Sequence, residues 1–157
     1  MSIILVIVWV LVGMVFMGLI VWFVMPSLML VKRKSKLSYD ETVTVLSENL
    51  QKKQDWHVLT VNDYQKTTEE FVTLERVGSV TICNPRYSSK ILANDKDRGV
   101  TAFMPLELGV YEDKKGQVFV SQLNIGLLGM MFGGTIAEMM GLAGKDIKEV
   151  VGSVSTK

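Results

Sequence analysis

The sequence predicts an α+β fold: an antiparallel sheet of four to five strands with helices on one face, preceded by one transmembrane helix. Three observations predict it. Ile3 to Met25 is an uncharged run of about 23 apolar residues, long enough to span a bilayer. Behind it, short β-branched segments such as "WHVLTV" and "VGSVTICN" alternate with the period of strands. Between and after these, "YDETVTVLSENL" and "TIAEMMGLAGKDIKEVV" repeat apolar residues at helical spacing.

The apolar run comes first. A helix rising ~1.5 Å per residue needs about 20 residues to cross ~30 Å of hydrocarbon. A cleaved signal peptide would want a basic start, an apolar core of roughly 7–15 residues and a small-residue cleavage site. This start lacks Lys and Arg, the core is too long, and "VMPSLMLV" offers no such site. Residues 1–27 therefore read as an uncleaved anchor and 28–157 as one domain, with Pro26 a natural end for the helix. Gly13 and Gly18 are five apart, so they do not form a GxxxG dimerisation face. Residues 1–31 carry no charged side chain, and Lys32, Arg33, Lys34 and Lys36 follow at once. Basic flanks stay cytoplasmic, so these four are the topology signal: N-terminus outside, domain in the cytoplasm. Such a cluster also meets anionic lipid, and the bilayer is the first expected partner. Setting these four aside, 13 basic residues stand against 16 acidic ones, a balance that excludes nucleic acid as a partner.

The domain's elements follow in order. "SLMLVKRKSKL" reads either as a linker or as a first strand emerging directly from the anchor. Ser38 and Glu41 have the spacing of a capping box, and Tyr39, Val43, Leu46 and Leu50 share one face, which predicts a helix over 39–53. "WHVLTV" is a strand, "NDYQKTTEEF" a loop with a helical turn, and "VGSVTICN" a second strand. Asn84 is a good N-cap and Pro85 a good first helical residue, so "PRYSSKILAN" opens a short helix. "TAFMPLELGVYED" and "QVFVSQLN" are strands joined by "DKKG", with glycine at the left-handed position of the hairpin. "GLLGMMFGG" is a short helix or a buried loop. Thr135 and Glu138 repeat the capping-box spacing, and the helix they start is weakened, even split, at Gly141 and Gly144.

This order of elements resembles the DUF302 family, small α+β domains of unassigned function. The resemblance runs from about Met29 to Val151. It rests on "YDETVTVLSENLQKKQDWHV", "VTICNPRYSSKILAND" and "MPLELGVYEDKKGQVFV", most specifically on Cys-Asn-Pro and the spacing from proline to Val-Tyr-Glu. Members of the family often carry Cys or Trp and then Arg after that second proline. Leu106 and Glu107 stand there in this chain, so a role resting on a basic residue at that strand does not carry over. The resemblance implies the fold and supplies almost no mechanism, and the anchor is an addition to it.

Cys83 is the chain's one cysteine, so no internal disulfide or CxxC exchange is available. It lies one residue before the predicted N-cap, where the helix dipole and Arg86 would favour a thiolate. Arg86, a cation in a first helical turn, calls for an anion or a carboxylate partner. Cys83, Asn84 and Arg86 are thus the candidate ligand-binding residues, set against a reading of Cys83 as a small buried hydrophobe. Strand alternation puts Val77, Ser79, Thr81 and Cys83 on one face and the more apolar Gly78, Val80 and Ile82 on the other. His57 has no nucleophile or carboxylate motif around it. One His and one Cys leave a zinc site short of ligands, and methionine in apolar helices (Met130, Met131, Met139, Met140) mostly packs, so no metal and no cofactor is expected. Core packing is also the first expectation for "GLLGMMFGG". No paired acid–base set can be named. Two functions follow: a membrane-anchored accessory protein docked on a membrane protein complex or on a second copy of itself, or a small-ligand- or anion-binding, thiol-dependent sensor.

Overall fold

The computed structural model describes residues 3–156. Helix α1 (Ile3–Met29) is long and apolar enough to cross a membrane; no residue of it is fully buried, and Met29 in its last turn packs partly against the core. It runs past Pro26, where the sequence had placed its end. Proline removes one hydrogen bond a turn back, and only one turn of helix remains to be held. Within that turn Ser27 Oγ donates to the Val24 carbonyl at 2.8 Å. Of the two readings of the next segment, the strand holds: β1 (Leu30–Lys34) follows α1 with no linker between them.

The other strands are β2 (His57–Asp63), β3 (Val77–Cys83), β4 (Leu106–Glu112) and β5 (Val118–Leu123). All pair antiparallel in the order β1-β5-β4-β3-β2. Helices α2 (Tyr39–Gln51), α4 (Pro85–Leu92), α5 (Ile125–Phe132) and α6 (Gly134–Val154) supply the core's other wall, and α3 (Tyr64–Thr67) is the expected single turn. Register follows burial. Val80, Ile82, Leu108, Val110, Val118 and Val120 meet Leu46, Leu50, Met139, Ile147 and Val151 in the core. Slipping a strand by one residue would send this whole set to the other face.

Local chemistry explains most boundaries. Ser38 Oγ accepts from Glu41 N–H at 3.4 Å and Glu41 Oε2 accepts from Ser38 N–H at 3.0 Å, the reciprocal box read in the sequence. On α2, Val43 packs partly against the core as expected, and Thr42 beside it is fully buried; its hydroxyl bonds Ser38 O and Ser35 Oγ, both at 2.7 Å, so a polar side chain is satisfied there. Asn84 caps α4 through Tyr87 N–H, with Pro85 at its start. Gly116 turns the β4–β5 hairpin at φ +74°.

Three expectations fail. Thr101 to Phe103 are not strand: a 3₁₀ segment spans Asp95–Phe103, and β4 begins only after the Met104–Pro105 bond. Asp95, Asp97 and Gly99 within it favour tight turns over a ladder. The capping box at Thr135 does not form. Gly133 and Gly134 take φ +70° and +53° to reverse the chain between α5 and α6, so the helix starts before Thr135. Gly141 and Gly144 do not split α6, which is continuous over 21 residues. Gly144 lies at the crossing with α5, where a Cβ would make ordinary contact with Gly126 and Ile125. The segment "GLLGMMFGG" is helical through Phe132 and only partly in the core: Leu128 and Gly129 are buried, whereas Met130 and Met131 are 73% and 69% exposed.

Candidate functional site

The ends of the strands collect the candidate residues. Leu30, which opens β1, pairs with Leu123 at the end of β5; Leu106, which opens β4, pairs with Ile82 at the end of β3. Cys83 and Asn84 therefore lie at the same end of the sheet as the close of α1. Asn124 ties that end to α1, with its backbone N–H donating to Met29 O at 2.8 Å and its Nδ2 to Leu28 O at 3.2 Å.

Cys83 is half-buried, with Sγ 3.6 Å from Ser88 Oγ. It opens onto an apolar pocket of about 40 Å³ walled by Trp56, Phe103, Met104, Met139 and Met140. That is room for a guest of a few heavy atoms at most. His57 stands directly across from Cys83 in the β2–β3 register, a pairing no local motif signals.

Arg86 is elsewhere. It faces a separate polar cleft with Lys53, Lys90, Tyr87 and Asp146, and it finds the carboxylate partner its position called for in Asp55, at 3.5 Å. Asp55 holds φ +62°, a conformation uncommon outside glycine. Asn84 lies between the two cavities, but its side chain is committed to structure: Oδ1 caps α4 at 3.2 Å and Nδ2 donates to Gln54 O at 3.4 Å. Cys83 and Arg86 thus do not share a cavity.

The cleft also holds a multiply bonded carboxylate, which sequence spacing could not reveal. Asp146 Oδ2 accepts from Trp56 Nε1 and from Tyr87 Oη, each at 3.0 Å, and Lys53 reaches Asp146 at 3.7 Å and Glu149 at 2.9 Å. Burial, then the Asp146 hydrogen bond, push the Tyr87 phenol up; the Glu149 hydrogen bond raises Lys53 despite some desolvation. These bonds join the connection between α2 and β2 to α4 and α6, and every partner is satisfied. This chemistry holds elements together and leaves no nucleophile beside a base.

On the sheet face away from the helices, Thr81 donates to Glu107 Oε1 at 2.6 Å, and Asn62 bonds Ser79 and Thr81 at 3.1 and 3.0 Å. Glu107, which stands where the resemblance noted in the sequence would lead to an arginine, serves this network. Leu106 lines the apolar pocket. Among the described residues no group of three or more His, Cys, Asp or Glu is arranged to hold a metal ion. Gln122 Oε1 is the one buried side-chain oxygen or nitrogen among them without a partner.

Comparison with known proteins agrees with this architecture. No curated protein matches the chain. The crystal structure of an uncharacterized conserved protein DUF302 from Bacillus stearothermophilus superposes with a TM-score of 0.71 at 19% identity. It covers 82% of this chain and 99% of its own, a likeness that speaks for the fold. The profile "Domain of unknown function DUF302" matches residues 31–154, from β1 to the last turn of α6, and leaves α1 outside. The five-stranded sheet, its helical layer and this match together make the chain a member of the DUF302 family.

Proposed function

We propose that the protein is a membrane-anchored accessory domain, facing the cytoplasm and working by contact with a membrane protein complex or a second copy of itself. The observation that carries this is the junction: α1 passes into β1 with no linker, and Asn124 clasps the last turn of the helix. A domain so joined stands at one height above the bilayer. The same end exposes Met130, Met131 and Phe132, and Phe132 packs edge-on against Phe103 at 5.9 Å, just before β4. An exposed apolar patch beside an anchor suits a bilayer surface or a membrane partner. The basic flank at Lys32, Arg33, Lys34 and Lys36 supports the cytoplasmic side.

The test is extraction of tagged full-length protein from native membranes in mild detergent, with the particle's mass and its companions identified. A large stoichiometric assembly or a defined homo-oligomer is expected. A monomer that leaves membranes in alkaline carbonate without detergent would end the proposal. The second reading, a thiol-dependent binding domain using Cys83, Asn84 and Arg86, draws on the apolar pocket beside Cys83. It has less support, because that pocket is small and Arg86 faces another cleft.

A further inference from the structure

The geometry points to a binding site for the phosphate headgroup of an anionic phospholipid in the groove between β1 and α6. This inference rests on the membrane-anchor reading of α1. The groove has a volume of about 350 Å³. Three cations line it, Arg33 from β1 and Lys145 and Lys148 from α6, and no carboxylate does. Among the described residues none of the three forms an ion pair. Charge on α6 is sorted: Asp146 and Glu149 turn to Lys53, while Lys145 and Lys148 turn to the groove. Glycines 126, 141 and 144 in the wall leave room that side chains would fill.

Position names the source of the phosphate. Leu123 and Asn124 form the groove's near wall, and Asn124 is bonded to the end of α1. A headgroup seated there has its acyl chains beside the anchor. Topology alone does not account for this arrangement. Orientation is set by charges close to a membrane segment, and Lys145 and Lys148 are far from it in sequence. The strand also divides its own cations. Arg33 pairs with core-facing Val120 and so points to the helical side, whereas Lys32 and Lys34 pair with Ser121 and Phe119 on the other face. Each cation near an anionic surface strengthens binding about fivefold.

The test uses full-length protein in mild detergent with equal phosphatidylglycerol and phosphatidylcholine, and native mass spectrometry to count retained lipid. The wild type is expected to keep phosphatidylglycerol selectively. R33Q/K145Q/K148Q should lose about fivefold per cation, on the order of 100-fold in all. K66Q/K114Q/K115Q, with the same charge loss away from the groove, should retain it. Circular dichroism checks the fold of each, and R33K/K145R/K148R should restore retention. Equal retention of the two lipids, or equal loss in both neutralised variants, would overturn the site. Displacement by millimolar glycerol phosphate would overturn the lipid assignment in favour of a soluble anion. A carbonate wash of native membranes reads the anchor separately: protein that stays in the membrane but shows no lipid preference sinks the groove alone.

Discussion

Trp56 donates its indole N–H to Asp146 Oδ2 at 3.0 Å, across 90 residues of sequence. Trp56 is 3% exposed, so this carboxylate is the partner of a donor with little access to water. Replacing Asp146 by Ala leaves that donor and the Tyr87 hydroxyl unpaired. The expected loss is about 2–3 kcal/mol, read as thermal unfolding by circular dichroism in mild detergent. Asp146→Asn keeps an acceptor and should cost less. Equal effects from the two would mean that the carboxylate's charge, not its acceptor, is what matters.

Gly78 marks a second vulnerable point. A Cβ there would collide with the Asn62 carbonyl and lie 2.5 Å from Tyr39 Oη, so β2 or α2 must move. Gly78→Ala should destabilise by about 1–3 kcal/mol. Gly13→Ala, which meets nothing within 4 Å, should be neutral in the same assay. A tolerated Gly78→Ala would show that the close approach is dispensable.

Thiol labelling separates the two functional readings. Half-buried against Ser88, Cys83 should react with a small disulfide reagent more slowly than a free thiol at neutral pH. Because Arg86 faces a different cleft, Arg86→Gln should leave that rate unchanged. Fast labelling that slows in Arg86→Gln would revive the sensor reading.

Alkaline pH tests the buried phenols. Tyr39 and Tyr87 both hold their protons above the ordinary value of 10.0, chiefly through burial, with the Asp146 hydrogen bond adding at Tyr87. The folded chain binds these protons more tightly than the unfolded one, so stability is unaffected below the unfolded value and falls as pH rises through the folded values. Unfolding free energy should therefore stay level with respect to these groups up to about pH 10 and decline beyond it. Phenolate absorbance and denaturation in parallel measure this. If Tyr39→Phe and Tyr87→Phe leave the decline as steep, other groups drive it.

What could be read in advance was what depends on neighbours in sequence. The Ser38–Glu41 box, the Asn84–Pro85 helix start and the Gly116 hairpin each complete their hydrogen bonds within a few residues, so their spacing is their signature. The 3₁₀ segment before β4 was hidden by a β-like "TAF", and the α6 start by glycine angles that letters do not carry. Candidate chemistry was legible only residue by residue. Asn84 was rightly placed at the helix mouth, but nothing local says that Cys83 and Arg86 part into two cavities or that His57 faces Cys83. Those facts follow from strand register and helix packing. The same holds for the division of Lys32, Arg33 and Lys34 between the two faces of the sheet.

The absence of slack between Met29 and Leu30 limits how the protein can search for what it binds. On the proposed membrane reading, a tethered head on a long leash would sweep a hemisphere of cytoplasm, whereas this one diffuses as a fixed stud in the plane of its bilayer. Encounters are therefore two-dimensional and pre-oriented, with the same flank of the sheet presented every time. Lengthening the junction by a few glycines should free the head to tumble while leaving every internal contact of the domain intact, so any function lost by that insertion alone belongs to the geometry of the mount.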